Sequence, residues 1–214
     1  VGGVDAPRAE AEWLIAGTLG LRRTELYLME TPLAGTHLHR LDALAVRRLR
    51  GEPLQYLLGH AEFCGYRLHV SPAVLIPRPE TEVLAEEAIA RARQMARRAR
   101  GQTLRILDLG TGSGSLAISL AKAVPTCVVV AVELSWDALQ VARANARTHH
   151  AEDRVRFVQA DWSEGLQGRF ALIISNPPYV PSHDVDRRQA QGNWEPRLSL
   201  DGGPDGMRFH HRLF

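Results

Sequence analysis

The chain has 214 residues, 45% hydrophobic and 23% charged, enough for one domain of ordinary size and a smaller one around a buried core. Its longest apolar run, the six residues Cys127 to Val132, falls far short of the roughly 20 needed to span a membrane. A formal charge of +2 permits contact with RNA without demanding it, and two cysteines outside any CxxC pair argue against a disulfide framework or a zinc site and for a reducing cytoplasm.

Residues 1–60 read as a small helical domain. Asp5 and Pro7 place a cap and a helix-starting proline before RAEAEWLIAGTLG, which stops at Gly20. Thr24 is expected to cap a short helix over ELYLM, and a third helix runs from about Thr36 to Arg50 on Leu38, Leu41, Leu44 and Leu49. With no catalytic constellation of their own, these helices read equally as a structural cap or a partner-docking domain. Residues 61–78 form a linker with a hairpin around Cys64-Gly65. Pro79 then opens a helix to about Arg100, acidic residues first and arginines last, which suits the helix dipole. The arginine run reads as a solvated helix end rather than an RNA site, and His149-His150 as a solvated helix terminus rather than metal ligands.

From Leu104 strands alternate with helices: LRILDLG, SLAISLAKAV, CVVVAVE, a helix capped by Ser135, RVRFVQAD and ALIISNPPY. Near-continuous apolar strands alternating with helices predict an α/β fold with a doubly wound parallel sheet covered on both faces over residues 79–214.

Ligands of such sheets bind at the C-terminal strand ends, and three of these carry acids. Asp108-Leu109-Gly110-Thr111-Gly112-Ser113-Gly114 is a glycine turn spaced GxGxG behind an acid, which suits a cationic or amine-bearing ligand better than a pyrophosphate. Glu133 can accept from both hydroxyls of a ribose, while Asp161 and Trp162 offer an acceptor and an aromatic wall for a purine. The fourth strand ends in Asn176-Pro177-Pro178-Tyr179, across the switch point from the glycine turn. The Asn176 side-chain oxygen and the Pro177 carbonyl can hold the two hydrogens of an NH₂ group, with Tyr179 packed on its plane. This suits methylation of a planar nitrogen, whose delocalised lone pair needs orientation more than a strong base.

Together these motifs resemble the class I S-adenosylmethionine-dependent methyltransferases, which share a Rossmann-like sheet. More closely, RGEPLQYLLGHAEF (50–63), LIPRPETE (75–82), DLGTGSG (108–114), Asp161-Trp162, SNPPYV (175–180) and EPRLSLDGGPDGM (195–207) resemble the PrmC/HemK family of release factor glutamine methyltransferases. The resemblance implies S-adenosylmethionine as cofactor, contacted by Gly110, Gly112, Glu133, Trp162 and Asn176. Asp108, Thr111 and Asp161 join that expected set from their places in the turn and at the third strand end. It implies as substrate the glutamine of the Gly-Gly-Gln tip of release factors, bound by Asn176, Pro177, Pro178 and Tyr179, with the helical domain docking the partner. The enzyme is expected to act as a monomer, with no membrane and no direct nucleic acid. Glu133 departs from the Asp usual in the family and should keep the ribose contact. The family fold also implies an earlier first helix and further strands after the fourth. A sheet truncated at its C-terminus is therefore expected, with weak cofactor binding and poor stability. Two alternatives share these motifs: a nucleic-acid N-methyltransferase acting on adenine or guanine amines, and a non-catalytic module that only binds release factors.

Overall fold

The computed structural model describes residues 6–30, 32–99 and 101–213. The chain divides into two compact units, Val1–Gly59 with Gly192–Trp194, and His60–Gln191 with Glu195–Phe214.

The first unit is helical. Pro7 opens α1 (Pro7–Leu19), which ends on Gly20 in the left-handed region; Asp5 lies outside the described residues. The ELYLM segment is a 3-10 helix, Arg23–Leu28, and Thr24 is not its cap. Its start is fixed instead by Glu25, whose carboxylate accepts from the Arg22 backbone N–H at 2.7 Å and from the Arg22 guanidinium. Next come α2 (Gly35–Leu49) and a short α3 (Leu54–Leu58) that the helical periodicity did not separate. Arg48 of α2 pairs with Glu10 of α1 at 2.5 Å. Apolar burial here is thin. Leu14, Ala16, Leu44 and Tyr56 are buried, whereas Leu28 and Leu49 are 80% and 70% exposed.

The second unit opens with a hairpin, β1 (His60–Phe63) and β2 (Tyr66–His69), whose Phe63 and Leu68 lie in the same core as the main sheet. Helix α4 (Pro79–Arg98) ends before Arg100, which lies outside the described residues. Then follow β3 (Leu104–Leu109), α5 (Ser115–Ala123), β4 (Cys127–Glu133), α6 (Trp136–Thr148), β5 (Val155–Gln159), β6 (Leu172–Ser175) and α7 (Ser182–Ala190). The four main strands are parallel in the order β5-β4-β3-β6. The α/β class and the parallel sheet are those read from the strand–helix alternation.

Strand alternation explains the two faces. Ile106, Cys127, Val129 and Ala131 point into one cluster with Ala85, Ala88 and Ala92 of α4 and Leu116, Ile118 and Leu120 of α5. Leu107, Leu109 and Val132 point the other way, into a cluster with Trp162, Phe170, Phe209 and Leu213. Cys127 is the buried core thiol its strand position implied. Ser135 caps α6, accepting from the Ala138 N–H at 3.2 Å. His149, at the end of α6, is not merely solvated, because its Nε2 lies 2.9 Å from the Arg67 carbonyl. Among the described residues no helix is long and apolar enough to cross a membrane, and no group of three or more His, Cys, Asp or Glu could hold a metal ion.

Candidate active site

Register brings the predicted residues to one edge of the sheet. Leu109 pairs with Val132 on one side and Ser175 on the other, so the chain leaves β3, β4 and β6 at one level. The glycine turn follows Leu109. Gly110 and Gly112 have φ of +72° and +55°, and nothing lies within 4 Å of where a Cβ would project, so the backbone edge is open to a ligand. Glu133 holds this turn: one carboxylate oxygen accepts from the Gly112 N–H at 2.9 Å and the other from the Ser135 N–H at 3.0 Å. Each oxygen retains a lone pair for a further donor.

Asp108 lies beneath the turn, fully buried. Its Oδ2 accepts from the Thr111 hydroxyl at 2.6 Å, and its Oδ1 has no partner. Burial, reinforced by the nearby Glu133 charge, pushes its carboxyl up to about 7 against the opposing Thr111 bond. Asp108 thus supports the turn from below and does not line the cavity above it.

Asp161 and Trp162 lie beyond β5 rather than on it, since the strand stops at Gln159 and Trp162 turns the chain with φ +60°. Trp162 is buried against Phe209, ring centroids 5.0 Å apart, and its indole Nε1 has no hydrogen-bond partner. The Asp161 carboxylate is engaged by Arg212, which donates to it at 2.8 Å and to Glu164 at 3.1 Å.

At the end of β6, the Ser175 hydroxyl donates to the Leu109 carbonyl at 2.8 Å, tying the Asn-Pro-Pro-Tyr turn to the base of the glycine turn. Asn176 is half-buried, and its Nδ2 donates to the Thr81 hydroxyl at 3.2 Å. Residues 200–206 brace the turn from behind. Val180 N–H donates to the Leu200 carbonyl and Gly202 N–H to the Val180 carbonyl, both at 2.9 Å. A Cβ on Gly202 would stand 2.8 Å from the Pro178 carbonyl oxygen, and one on Gly206, at φ +80°, 2.4 Å from that of Tyr179. Only glycine permits this approach.

Two cavities meet at this turn. One, of about 130 Å³, is lined by Gly110, Thr111, Gly112, Glu133, Asp161, Trp162, Asn176 and Pro178. The other, of about 280 Å³, is lined by Arg78, Asn176, Pro177, Tyr179 and Arg188. Asn176 and Thr81 line both. The structure therefore assembles every predicted site residue except Asp108 around two adjoining spaces. Tyr179 stands at the second, 62% exposed. Sequence reasoning gave no role to Thr81, Ser199 or Phe209, which also line this site; Thr81 was visible only as part of the PRPETE segment.

Known proteins carry the same pattern. Residues 84–192 match the family described as the Methyltransferase small domain, and residues 2–59 match the PrmC N-terminal domain. A release factor glutamine methyltransferase of Geobacter sulfurreducens is 44% identical over 214 residues, covering 99% of this chain and 72% of the relative. The chain belongs to the release factor glutamine methyltransferase family. Another member of this family, from Escherichia coli, is 42% identical over 205 residues, 95% of this chain and 71% of its own length. Among solved structures, the hMettl16 catalytic domain in complex with the MAT2A 3'UTR hairpin 6 shares the fold, with a TM-score of 0.53, 16% identity, and 69% of this chain and 55% of that one covered. The PrmC/HemK resemblance read from the motifs is thus established for the chain as a family member.

Proposed function

We propose that this chain transfers a methyl group from S-adenosylmethionine to the side-chain amide nitrogen of the glutamine in the Gly-Gly-Gln tip of peptide chain release factors. The observation that carries the reading is Asn176, which lines both the cavity under the glycine turn and the cavity beside Tyr179. A group held there reaches a donor on one side and an acceptor nitrogen on the other.

The residues fit the cofactor. The open backbone at Gly110 and Gly112, the spare lone pairs of Glu133 and the unpartnered Nε1 of Trp162 supply donors and acceptors for an amino acid joined to a nucleoside. When bound, S-adenosylmethionine supplies an electrophilic methyl group on a sulfonium. The protein's share is orientation. The Asn176 oxygen and the Pro177 carbonyl accept the two amide hydrogens, and the proline has no N–H to compete for them. Drawing both hydrogens toward acceptors lets the nitrogen lone pair turn toward the methyl group, so positioning and electrostatics supply the rate without a strong base. The N–C bond would form as the sulfonium S–C bond breaks to a neutral thioether, and one amide proton, acidic once the nitrogen carries the methyl group, would pass to water. The exposed Tyr27, Leu28 and Leu49 of the first unit support a docking role for the helical region.

Incubation with labelled S-adenosylmethionine and either a release factor or structured RNA tests the reading. Label on the Gly-Gly-Gln glutamine is expected, whereas label on RNA, or none on either, overturns it. Replacing Asn176 with Ala should lower transfer by about 10²-fold or more while leaving most cofactor affinity, measured by calorimetry. Undiminished transfer would refute the acceptor role.

A further inference from the structure

An asparagine serves as an acceptor only if its amide is turned the right way. The oxygen and nitrogen ends have nearly the same shape, but the nitrogen end presents N–H groups that cannot receive the hydrogens of a substrate amide. In a half-buried turn between two cavities, water alone would leave both orientations open. Something in the protein must hold the amide plane and leave the oxygen end to the substrate.

The structure offers one choice. The Asn176 Nδ2 donates to the Thr81 hydroxyl oxygen, leaving Oδ1 on the other side of the amide. The hydroxyl fixes the plane of the amide, and a substrate NH₂ group, which can only donate, takes the oxygen end. Thr81 is itself fixed. It is 9% exposed, in the first turn of α4, with its backbone N–H on the Arg78 carbonyl at 3.0 Å. The strap ahead of it is tied down by the buried Glu195, which accepts from the Ile76 N–H at 3.1 Å and from the Arg78 guanidinium at 2.5 Å. Pro77 and Pro79 on either side of Arg78 stiffen this strap further. A hydroxyl anchored at this point lies in the walls of both cavities, where it can act on Asn176 without disturbing the sheet.

We infer that Thr81 is a positioning residue for methyl transfer, holding the Asn176 amide so that its oxygen accepts from the substrate NH₂ group. This rests on the proposed glutamine methylation and assigns the PRPETE segment a chemical task in it. Thr81 acts through Asn176 and is replaceable by any residue with a hydroxyl at the same point.

The test compares Thr81→Val, which keeps the shape and removes the hydroxyl, with Thr81→Ser, which keeps the hydroxyl. With a release factor as substrate, Thr81→Val should lower kcat roughly tenfold, the scale of one positional hydrogen bond, and leave cofactor affinity and melting temperature near wild type. Thr81→Ser should restore kcat to within about twofold of wild type. A second readout needs no turnover. In nitrogen-labelled protein, the Asn176 side-chain N–H that donates to Thr81 should be protected from solvent exchange in wild type and Thr81→Ser, and fast-exchanging in Thr81→Val. Equal losses in the two variants, or losses that track cofactor affinity and melting temperature, overturn the assignment and leave Thr81 a structural residue. Wild-type protein that binds cofactor yet never labels the glutamine overturns the underlying reading instead, and the assignment with it.

Discussion

The glycine turn and the Asn-Pro-Pro-Tyr turn leave adjacent strands at the same level, yet they are supported in opposite ways. Most of what shapes the glycine turn comes from residues 108–135, with Asn145 adding a bond to the Ser113 carbonyl at 2.9 Å and Ser175 one to the Leu109 carbonyl at 2.8 Å. Asp108 lies under it, Thr111 closes onto Asp108, and Glu133 clamps Gly112 to Ser135. The other turn depends on distant chain: Thr81 is 95 residues away from Asn176, and the brace at Leu200 to Gly206 comes 20 residues or more after Tyr179. A wall built mainly from one stretch of chain depends little on distant segments for its shape. A wall assembled from three separate segments makes acceptor geometry depend on the fold of the whole second unit.

That contrast is best broken at Gly206. A methyl group there meets the Tyr179 carbonyl oxygen at 2.4 Å and stands on a backbone with φ +80°, so Gly206→Ala must push the Asn-Pro-Pro-Tyr turn out of place. A displacement near 1 Å in a positioned reactant costs on the order of 10²-fold in rate. Transfer to the release factor should fall by about that factor, while cofactor affinity falls far less. Equal loss of both would mean that the two walls are mechanically one. The complementary change is Glu133→Ala, which strands the Gly112 and Ser135 N–H groups. Cofactor affinity should weaken roughly tenfold, the scale of a charge-assisted hydrogen bond, with the rate at saturating cofactor little changed. Calorimetry and saturation kinetics together separate the two effects.

The same contrast explains what the sequence disclosed. The glycine turn, Glu133 and the strand–helix alternation were legible because each depends on a local period or spacing, and a parallel sheet then brings strand ends together. The Asn-Pro-Pro-Tyr turn was legible as a motif, but its supports were not. No local pattern links Thr81 to Asn176, or Glu195 to Ile76, and helix α7 between those segments lacks a strong apolar stripe, with Val185 its one buried residue. Nothing local marks Gly202 and Gly206 as obligatory glycines, because the atoms that exclude a side chain there belong to Pro178 and Tyr179. Asp161 and Trp162 were expected at the end of a strand, and the left-handed turn at Trp162 moves them beyond it. Thr24 is by residue type the better cap for the short 3-10 helix, yet Glu25 three residues after Arg22 carries the signal of the cap that forms.

Asp108 is the change expected to alter the rate of transfer least, and through stability it gives the sharpest test of how self-contained the glycine turn is. Its carboxyl titrates at about 7 in the folded protein against 3.8 for an ordinary aspartate, so between those values the folded state holds a proton that the unfolded chain has released. Stability from this group is therefore complete below about pH 4 and is lost as the pH rises toward 7. The difference corresponds to on the order of 4 kcal/mol at most. Asp108→Asn keeps an acceptor for the Thr111 hydroxyl and removes the charge. Its melting temperature should exceed that of wild type above pH 7, and the gap should close as the pH falls toward 4. The rate of transfer at saturating cofactor should stay close to wild type, because Asp108 lines neither cavity. A pH-independent gap would mean that Asp108 is ionised in the fold.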